Sequence, residues 1–259
     1  MNLIPIIIPF YKETEKLKKC ISAINSQLYQ PTEIFIRDNT DDNILFTAAI
    51  NEGLKKYSFN PDVKYLLILN QDCYLRTDTL TSLVECLDKN PRCGIACSIQ
   101  VDQSNQVTWG GSYDAFPAGV HKMDPLNSYT QDFDTYWANG ACMLLRHEMV
   151  KEIGLFDENM KFICSDSDYS FTARSRGWSV MVVAKSIAEH SLSSSGSVES
   201  EAISSRKKLD VIYFAKKWLT GELYNELSCE GDTLSRLRIK SIIDNLKSTP
   251  RPNSSTLFL

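Results

Sequence analysis

Residues 65–75 read Tyr-Leu-Leu-Ile-Leu-Asn-Gln-Asp-Cys-Tyr-Leu. The apolar run 66–69 drives straight into an Asn-x-Asp triplet. Such a run suits a strand buried on both faces. A carboxylate just past the end of a buried strand sits where α/β sheets bind ligands, outside the carboxyl ends of the strands. Asp72 is then placed for chemistry, and 66–69 holds it still. The plainer reading makes Asn70 and Asp72 turn formers, as both residue types often are. The triplet alone leaves both readings open.

Working outward, residues 3–10 form an Ile-rich strand ending at Pro9-Phe10-Tyr11. Leu17, Cys20, Ile21, Ile24 and Leu28 then share one helical face, and Pro31 stops the pattern. Residues 33–37 read as a second strand, ending in Asp38-Asn39-Thr40-Asp41-Asp42. Ala48, Ala49, Ile50 and Leu54 suggest a helix interrupted at Asn51-Glu52-Gly53. Beyond the triplet, Leu80, Leu83, Val84 and Leu87 form an apolar stripe stopped by Asn90-Pro91, and 93–101 is the next strand. This alternation argues a mixed, mostly parallel sheet with helices on both faces. Residues 102–134 carry Gly110-Gly111, Pro117 and Pro125 with little periodicity, and read as hairpin and loop. An apolar segment follows over 136–145, then helices over 146–153 and 166–176, the second closed by Gly177. A strong strand spans 178–184. Residues 191–197 are dominated by serine. Helices are expected over 208–219 and 234–246, with a disordered tail from 248. The expected organisation is a catalytic domain over 1–198, a helical extension over 199–247 packed on it, and a flexible tail over 248–259.

The chain has 259 residues, 43% hydrophobic and 23% charged, the profile of a soluble globular protein. A formal net charge of −4 argues against a broad nucleic-acid footprint, so no nucleic-acid partner is expected. Cys20, Cys73, Cys86, Cys93, Cys97, Cys142, Cys164 and Cys229 form no Cys-x-x-Cys pair, and most fall in apolar runs where a thiol packs as a small hydrophobe. No signal peptide or membrane span is visible, so a reduced, cytoplasmic location is expected.

Four polar clusters follow strands: residues 9–13, 38–42, 70–72 and 165–168. In a parallel sheet, strand ends on one side converge on a single crevice. A carboxylate-rich crevice suits a hard divalent cation bridging to phosphate oxygens. In this order the motifs resemble a family 2 glycosyltransferase of the GT-A fold, in its rhamnosyltransferase-like, non-processive branch. The resemblance spans roughly residues 3–195 and rests on motif order. Ile6 to Tyr11 is similar to the opening strand and Pro-x-Tyr turn, and Glu33 to Asn39 to the strand ending in Asp-Asn. Ala49 to Gly53 resembles an Asn-x-Gly helix element, Leu67 to Asp72 the Leu-Asn-x-Asp form of the metal triplet, and Asn139 to Leu144 the Gly-Ala segment. Gly154-Leu155-Phe156-Asp157-Glu158 resembles a Gly-x-Phe-Asp-Glu element, and Ser165 to Asp168 the Glu-Asp-x-Asp motif. His190 resembles a late His followed by serines.

The resemblance implies roles at matching positions. Pro9, Phe10, Tyr11 and Glu13 line the nucleotide pocket. Asp38 contacts the base, and Asn51 and Gly53 lie near base or ribose. Asn70 and Gln71 border ribose and diphosphate. Asp72 and His190 hold a divalent Mn or Mg ion. Trp137, Asn139 and Gly140 shape the sugar and acceptor pocket. Asp166 is the catalytic base, and Asp168 supports it or positions the acceptor. The chemistry fits. A cation stabilises the charge growing on a departing diphosphate, a carboxylate activates the acceptor hydroxyl, and one displacement inverts the anomeric carbon.

The implied donor is a nucleoside-diphosphate-sugar, with UDP or dTDP expected. The acceptor is a saccharide, free or lipid-linked, in bacterial polysaccharide synthesis. Residues 206–219 read either as a solvated face or as a peripheral contact at the inner face of a membrane. Two departures stand out. Asn70 holds the first position of the usual Asp-x-Asp, and Ser165 replaces a Glu. Asp166 and Asp168 also read as ordinary helix-start residues, and Trp137 as core packing. His121 and His147 lack motif context and read as structural. Two rivals remain: a nucleotidyltransferase, disfavoured because residues 9–12 lack a glycine, and a degenerate module that binds nucleotide sugars without turnover.

Overall fold

The computed structural model describes residues 2–112, 121–190 and 201–218. The serine-rich run 191–197, the helix expected over 234–246, the tail 248–259 and most of the proposed extension 199–247 lie outside them.

The elements run β1 (Ile4–Phe10), α1 (Thr14–Asn25), β2 (Thr32–Asp38), α2 (Leu45–Tyr57), β3 (Tyr65–Leu69), β4 (Tyr74–Leu75), α3 (Thr79–Lys89) and β5 (Cys93–Val101). Then come β6 (Val107–Trp109), β7 (Phe133–Asp134), β8 (Cys142–Arg146), α4 (His147–Ile153), α5 (Ser165–Ser175), β9 (Ser179–Glu189) and α6 (Glu201–Trp218). They build one mixed sheet in the order β2-β1-β3-β8-β5-β9-β4, with β6 on β5 and β7 on β9. The longest pairings, β1 with β2 and β5 with β9, are parallel.

All five residues of β3 are buried, as an apolar strand covered on both faces requires. Side chains of successive residues point to opposite faces. Ile4, Ile6 and Ile8 of β1 therefore join Tyr65, Leu67 and Leu69 of β3 on the face covered by Cys20 and Ile24 of α1 and Leu80, Leu83 and Leu87 of α3. Ile7, Leu66 and Ile68 pack on the other face against Ile50 and Leu54 of α2, Met149 of α4 and Tyr169 of α5. Helices cover both faces, as the alternation predicts.

Three expectations need correction. The α2 helix runs unbroken through Asn51-Glu52-Gly53. Gly53 is there for space, since a Cβ on it would meet Ile7 Cγ2 at 2.5 Å. The apolar segment 136–145, left without an element in the sequence, becomes strand from Cys142, while residues 137–141 lie against α5, with the Ala138 N–H donated to Ser170 Oγ at 3.1 Å. The last strand extends to Glu189, well beyond 184. Helix α6 starts at Glu201, ahead of 208.

One reversal positions the site. Strand β8 runs antiparallel to β3, pairing Leu69 with Cys142. The start of β8 thus adjoins the end of β3, and the Asn70 N–H is donated to the Ala141 carbonyl at 2.9 Å. A parallel β8 would have put residues 139–141 at the opposite edge of the sheet.

Candidate active site

Strands β1, β2 and β3 end side by side, with Phe10 opposite Asp38. Pro9 and Phe10 close β1, and Tyr11 follows them, 42% exposed. Gln71 staples this turn to the triplet. Its Oε1 accepts the Tyr11 N–H at 2.6 Å, and its Nε2 is donated to the Tyr11 carbonyl at 3.2 Å and to Glu13 Oε2 at 3.3 Å. Asp38 Oδ1 accepts the Thr40 N–H at 2.8 Å, and the hydrogen bonds from Thr40 hold its carboxyl below the usual range. Arg37 braces the same turn. It is donated to both carboxylate oxygens of Asp42 at 2.7 and 2.8 Å, to Glu52 at 3.0 Å and to Asn39 Oδ1 at 2.7 Å.

Asp72 and His190 face each other across the neighbouring edge. Tyr74 of β4 pairs with Glu189 of β9, which brings the residue after β9 beside the triplet. Asp72 Oδ1 lies 3.6 Å from His190 Nε2, and Asp72 Oδ2 lies 3.9 Å from Lys16 Nζ. His190 Nδ1 is 2.9 Å from Gln100 Oε1, a contact that turns Nε2 toward the carboxylate. Burial pushes the Asp72 pKa up, but His190 and Lys16 outweigh it and the net shift is downward. A carboxylate oxygen and an imidazole nitrogen at this spacing fit two ligands that would hold one divalent ion, the ion displacing any proton on Nε2. Among the described residues no cluster of three or more ligating side chains exists. Such an ion would depend on the substrate for the rest of its coordination.

Next to this edge lies a cavity of about 350 Å³ lined by Asn70, His121, Trp137, Asn139, Gly140, Ser165 and Asp166, with apolar walls from Phe46, Phe162, Ile163 and Val211. Asp166 stands in the first turn of α5, after Cys164 in the left-handed region at φ 66°. Its Oδ2 accepts the Gly140 N–H at 2.8 Å and its Oδ1 the Ser167 N–H at 2.8 Å. Burial raises the carboxyl above its ordinary range, and these donors do not offset it. Ser165 Oγ and Trp137 Nε1 are buried and have no hydrogen-bond partner among the described residues.

Asn70, Trp137, Asn139, Gly140 and Asp166 thus share one cavity, and Pro9, Phe10, Tyr11, Glu13, Asp38, Gln71, Asp72 and His190 occupy the adjoining strand ends. Two residues expected at the site serve inward contacts. Asn51 is donated from Nδ2 to the Phe156 carbonyl at 2.9 Å and to Glu158 Oε1 at 2.8 Å, while its Oδ1 accepts the Phe156 N–H at 2.9 Å. Asp168, 2% exposed, accepts Trp218 Nε1 at 2.5 Å and Lys217 Nζ at 2.9 Å, tying α5 to α6. Asp210 of α6 accepts the N–H groups of Phe162 and Ile163 at 2.8 and 3.0 Å and so holds the cavity's loop. His121, read from sequence as structural, lines the cavity; nothing in the residues around it signals this.

The architecture defines a GT-A-like α/β protein. Among solved structures it is similar to the crystal structure of GalNAc-T7 with UDP, GalNAc and Mn²⁺, at 12% identity and a TM-score of 0.61, covering 95% of this chain and 55% of that one. The chain spans about half the length of that protein, and the likeness is one of fold. The model of glycosyltransferase-like family 2 matches residues 46–209. The chain belongs to that family. No curated protein matches it.

Proposed function

We propose that this protein is a metal-dependent, inverting glycosyltransferase of the rhamnosyltransferase-like branch. It transfers a sugar from a nucleoside diphosphate, UDP or dTDP, to a saccharide acceptor in bacterial polysaccharide synthesis at the cytoplasmic side of the membrane. The observation that carries this reading is Asp166: a carboxylate of raised pKa, clamped by Gly140 and Ser167, in a cavity that also contains Asn70 beside the Asp72–His190 pair.

Each residue has a task. Gln71 fixes the Tyr11 turn, and Asp38 projects from the adjoining strand end as an acceptor for a base N–H. Asp72 and His190 would hold the cation, which when bound would neutralise charge on the departing diphosphate. Asp166 uses the remaining lone pairs of its carboxylate to accept the acceptor hydroxyl's proton. A raised pKa makes it the stronger base. One base acting opposite the leaving group gives inversion.

The test is calorimetry with UDP-, dTDP- and GDP-sugars, with and without Mn²⁺, followed by a nucleoside-diphosphate release assay with saccharide acceptors. One base is expected to bind more tightly with metal, and Asp72→Ala to lose that gain while Asn70→Ala loses less. Binding without release, with acceptors supplied, would favour a non-catalytic nucleotide-sugar module; no binding at all would remove the proposal.

A further inference from the structure

The sheet ends on one side in β2, and no described element pairs with the outer edge of that strand. None of its seven residues is buried, and Ile36 is 39% exposed. The strand at the other end of the sheet, β4, has only two residues.

The pairing with β1 decides which backbone groups of β2 face outward. The Ile4 N–H is donated to the Pro31 carbonyl at 3.2 Å, and the Asn39 N–H to the Phe10 carbonyl at 2.8 Å. Backbone groups alternate sides along a strand. Glu33, Phe35 and Arg37 therefore turn theirs toward β1, and Thr32, Ile34, Ile36 and Asp38 turn theirs away. The two ends are served from within the chain: Gln30 Oε1 accepts the Thr32 N–H at 3.2 Å, and the Asp38 carbonyl accepts Arg37 Nη1 at 2.7 Å. The N–H and carbonyl groups of Ile34 and Ile36 are left facing a further strand.

Exposed edges are commonly blunted by a proline, a lysine or a bulge. Strand β2 has none of these: Pro31 precedes it, and its register with β1 is unbroken over all seven residues. Its sequence is also complementary to itself. Lay a second β2 antiparallel to the first, about a two-fold axis at Phe35. Ile34 then falls opposite Ile36 of the second copy, and the outward groups of each pair exchange hydrogen bonds. Glu33 falls opposite Arg37 twice over, an opposite-charge pair on each side of the axis. The isoleucines meet on the face that α1 covers, and Phe35, edge-on to Tyr57 at 6.5 Å, meets its own copy on the α2 face. Moving the axis to Ile34 or Ile36 keeps the backbone bonds but sets Glu33 opposite Phe35 or Asn39, and both charge pairs are lost.

We infer that β2 is the interface of a symmetric dimer, in which a second copy of this chain extends the sheet by antiparallel pairing centred on Phe35. A strand of other sequence would meet an unmatched charge at Glu33 or Arg37, which favours the chain's own copy. The candidate sites of the two copies lie toward opposite ends of the joined sheet. An edge contact of this kind is smaller than the roughly 1,200 Å² at which standard interfaces begin, so the dimer dissociates on dilution. The inference does not depend on the proposed function.

The test is sedimentation velocity of the full chain over a dilution series. Wild type is expected to pass from monomer to dimer as concentration rises. Ile36→Lys, at a position already exposed, should leave the melting temperature of the dilute protein unchanged and weaken dimerisation at least ~10-fold. Register is read by cross-linking in a Cys229→Ser background, the seven described cysteines being buried. Glutathione disulfide is the oxidant: two protein thiols become one disulfide, and the reagent leaves as two molecules of glutathione. Phe35→Cys should give a covalent dimer. Ile34→Cys and Ile36→Cys should not, because each lies diagonal to its own copy at about 7–8 Å. Melting temperatures confirm that the cysteine variants fold. A chain that stays monomeric up to its solubility, a dimer that Ile36→Lys leaves as strong as wild type, or cross-linking at position 34 or 36 in preference to 35 would each overturn the inference.

Discussion

Replacing Asn51 separates two roles for a residue that family resemblance puts near the nucleotide. In the structure its amide is saturated by inward bonds: Nδ2 to the Phe156 carbonyl at 2.9 Å and to Glu158 at 2.8 Å, and Oδ1 from the Phe156 N–H at 2.9 Å. Asn51 is 1% exposed and Phe156 3% exposed, so water has little access to the groups left behind. Asn51→Leu preserves volume and strands one buried N–H and one buried carbonyl. At about 1–3 kcal/mol for each stranded group, the loss is roughly 2–6 kcal/mol. For a domain of this size that lowers Tm by roughly 4–24 °C. The assay is thermal denaturation alongside UDP titration well below the variant's Tm. The expected result is a large fall in Tm with UDP affinity retained. An unchanged Tm with UDP binding lost would refute the reasoning and return Asn51 to the nucleotide pocket.

Gly53→Ala gains up to about 1 kcal/mol of helix propensity but drives a Cβ to 2.5 Å from Ile7 Cγ2, an overpacking worth about 1–3 kcal/mol, so urea unfolding should show net destabilisation, and the double variant with Ile7→Ala should lose less than the sum of the two single losses. Asp166→Asn should lower turnover at least ~10²-fold without weakening nucleotide binding. In the wild-type enzyme, protonation of Asp166 removes the base. Its pKa is raised, so the acid limb of the kcat/KM profile should lie above the ordinary carboxylate range, with activity rising as pH rises through it. Asp168→Ala removes the acceptor of the Trp218 and Lys217 bonds, while Lys217 keeps Asp157 at 2.8 Å. A loss of about 1.5–3 kcal/mol and faster amide exchange in α6 are expected; unchanged exchange would show that the apolar contacts of Phe171 with Phe214 and Trp218 suffice.

The sequence made the sheet legible where burial leaves a plain signal. The run 66–69, the Ile-rich 3–10 and the stripe Leu80-Leu83-Val84-Leu87 all became the expected elements, because apolar periodicity reports which faces are covered. Gly53 misled, since a glycine that breaks propensity locally is also what lets α2 approach Ile7. Residues 136–145 could be read only as an apolar segment, because apolar content does not distinguish a strand from a segment packed on a helix. Asp72 and Asp166 stood out as carboxylates at strand or helix ends, a placement that sequence displays. Gln71 did not reveal its clamp on Tyr11, nor Asn51 its hold on Phe156, because both partners are backbone groups and any residue supplies those. His121 stayed hidden for a related reason. It reaches the cavity through a ladder with Gly110 and Gly111, and strand pairing over such a short stretch leaves no period to read.

Helix α6 has a temporal consequence. Asp166 and the loop before it are fastened from behind by residues that leave the ribosome last among the described ones: Asp210 on Phe162 and Ile163, and Lys217 with Trp218 on Asp168. Synthesis is vectorial, at about 5–20 residues per second. For several seconds the nascent chain carries the paired ends of β1, β2 and β3 while the start of α5 has nothing bracing it from behind. On the proposed function, the nucleotide edge then forms before the carboxylate meant to take the proton is fixed in place.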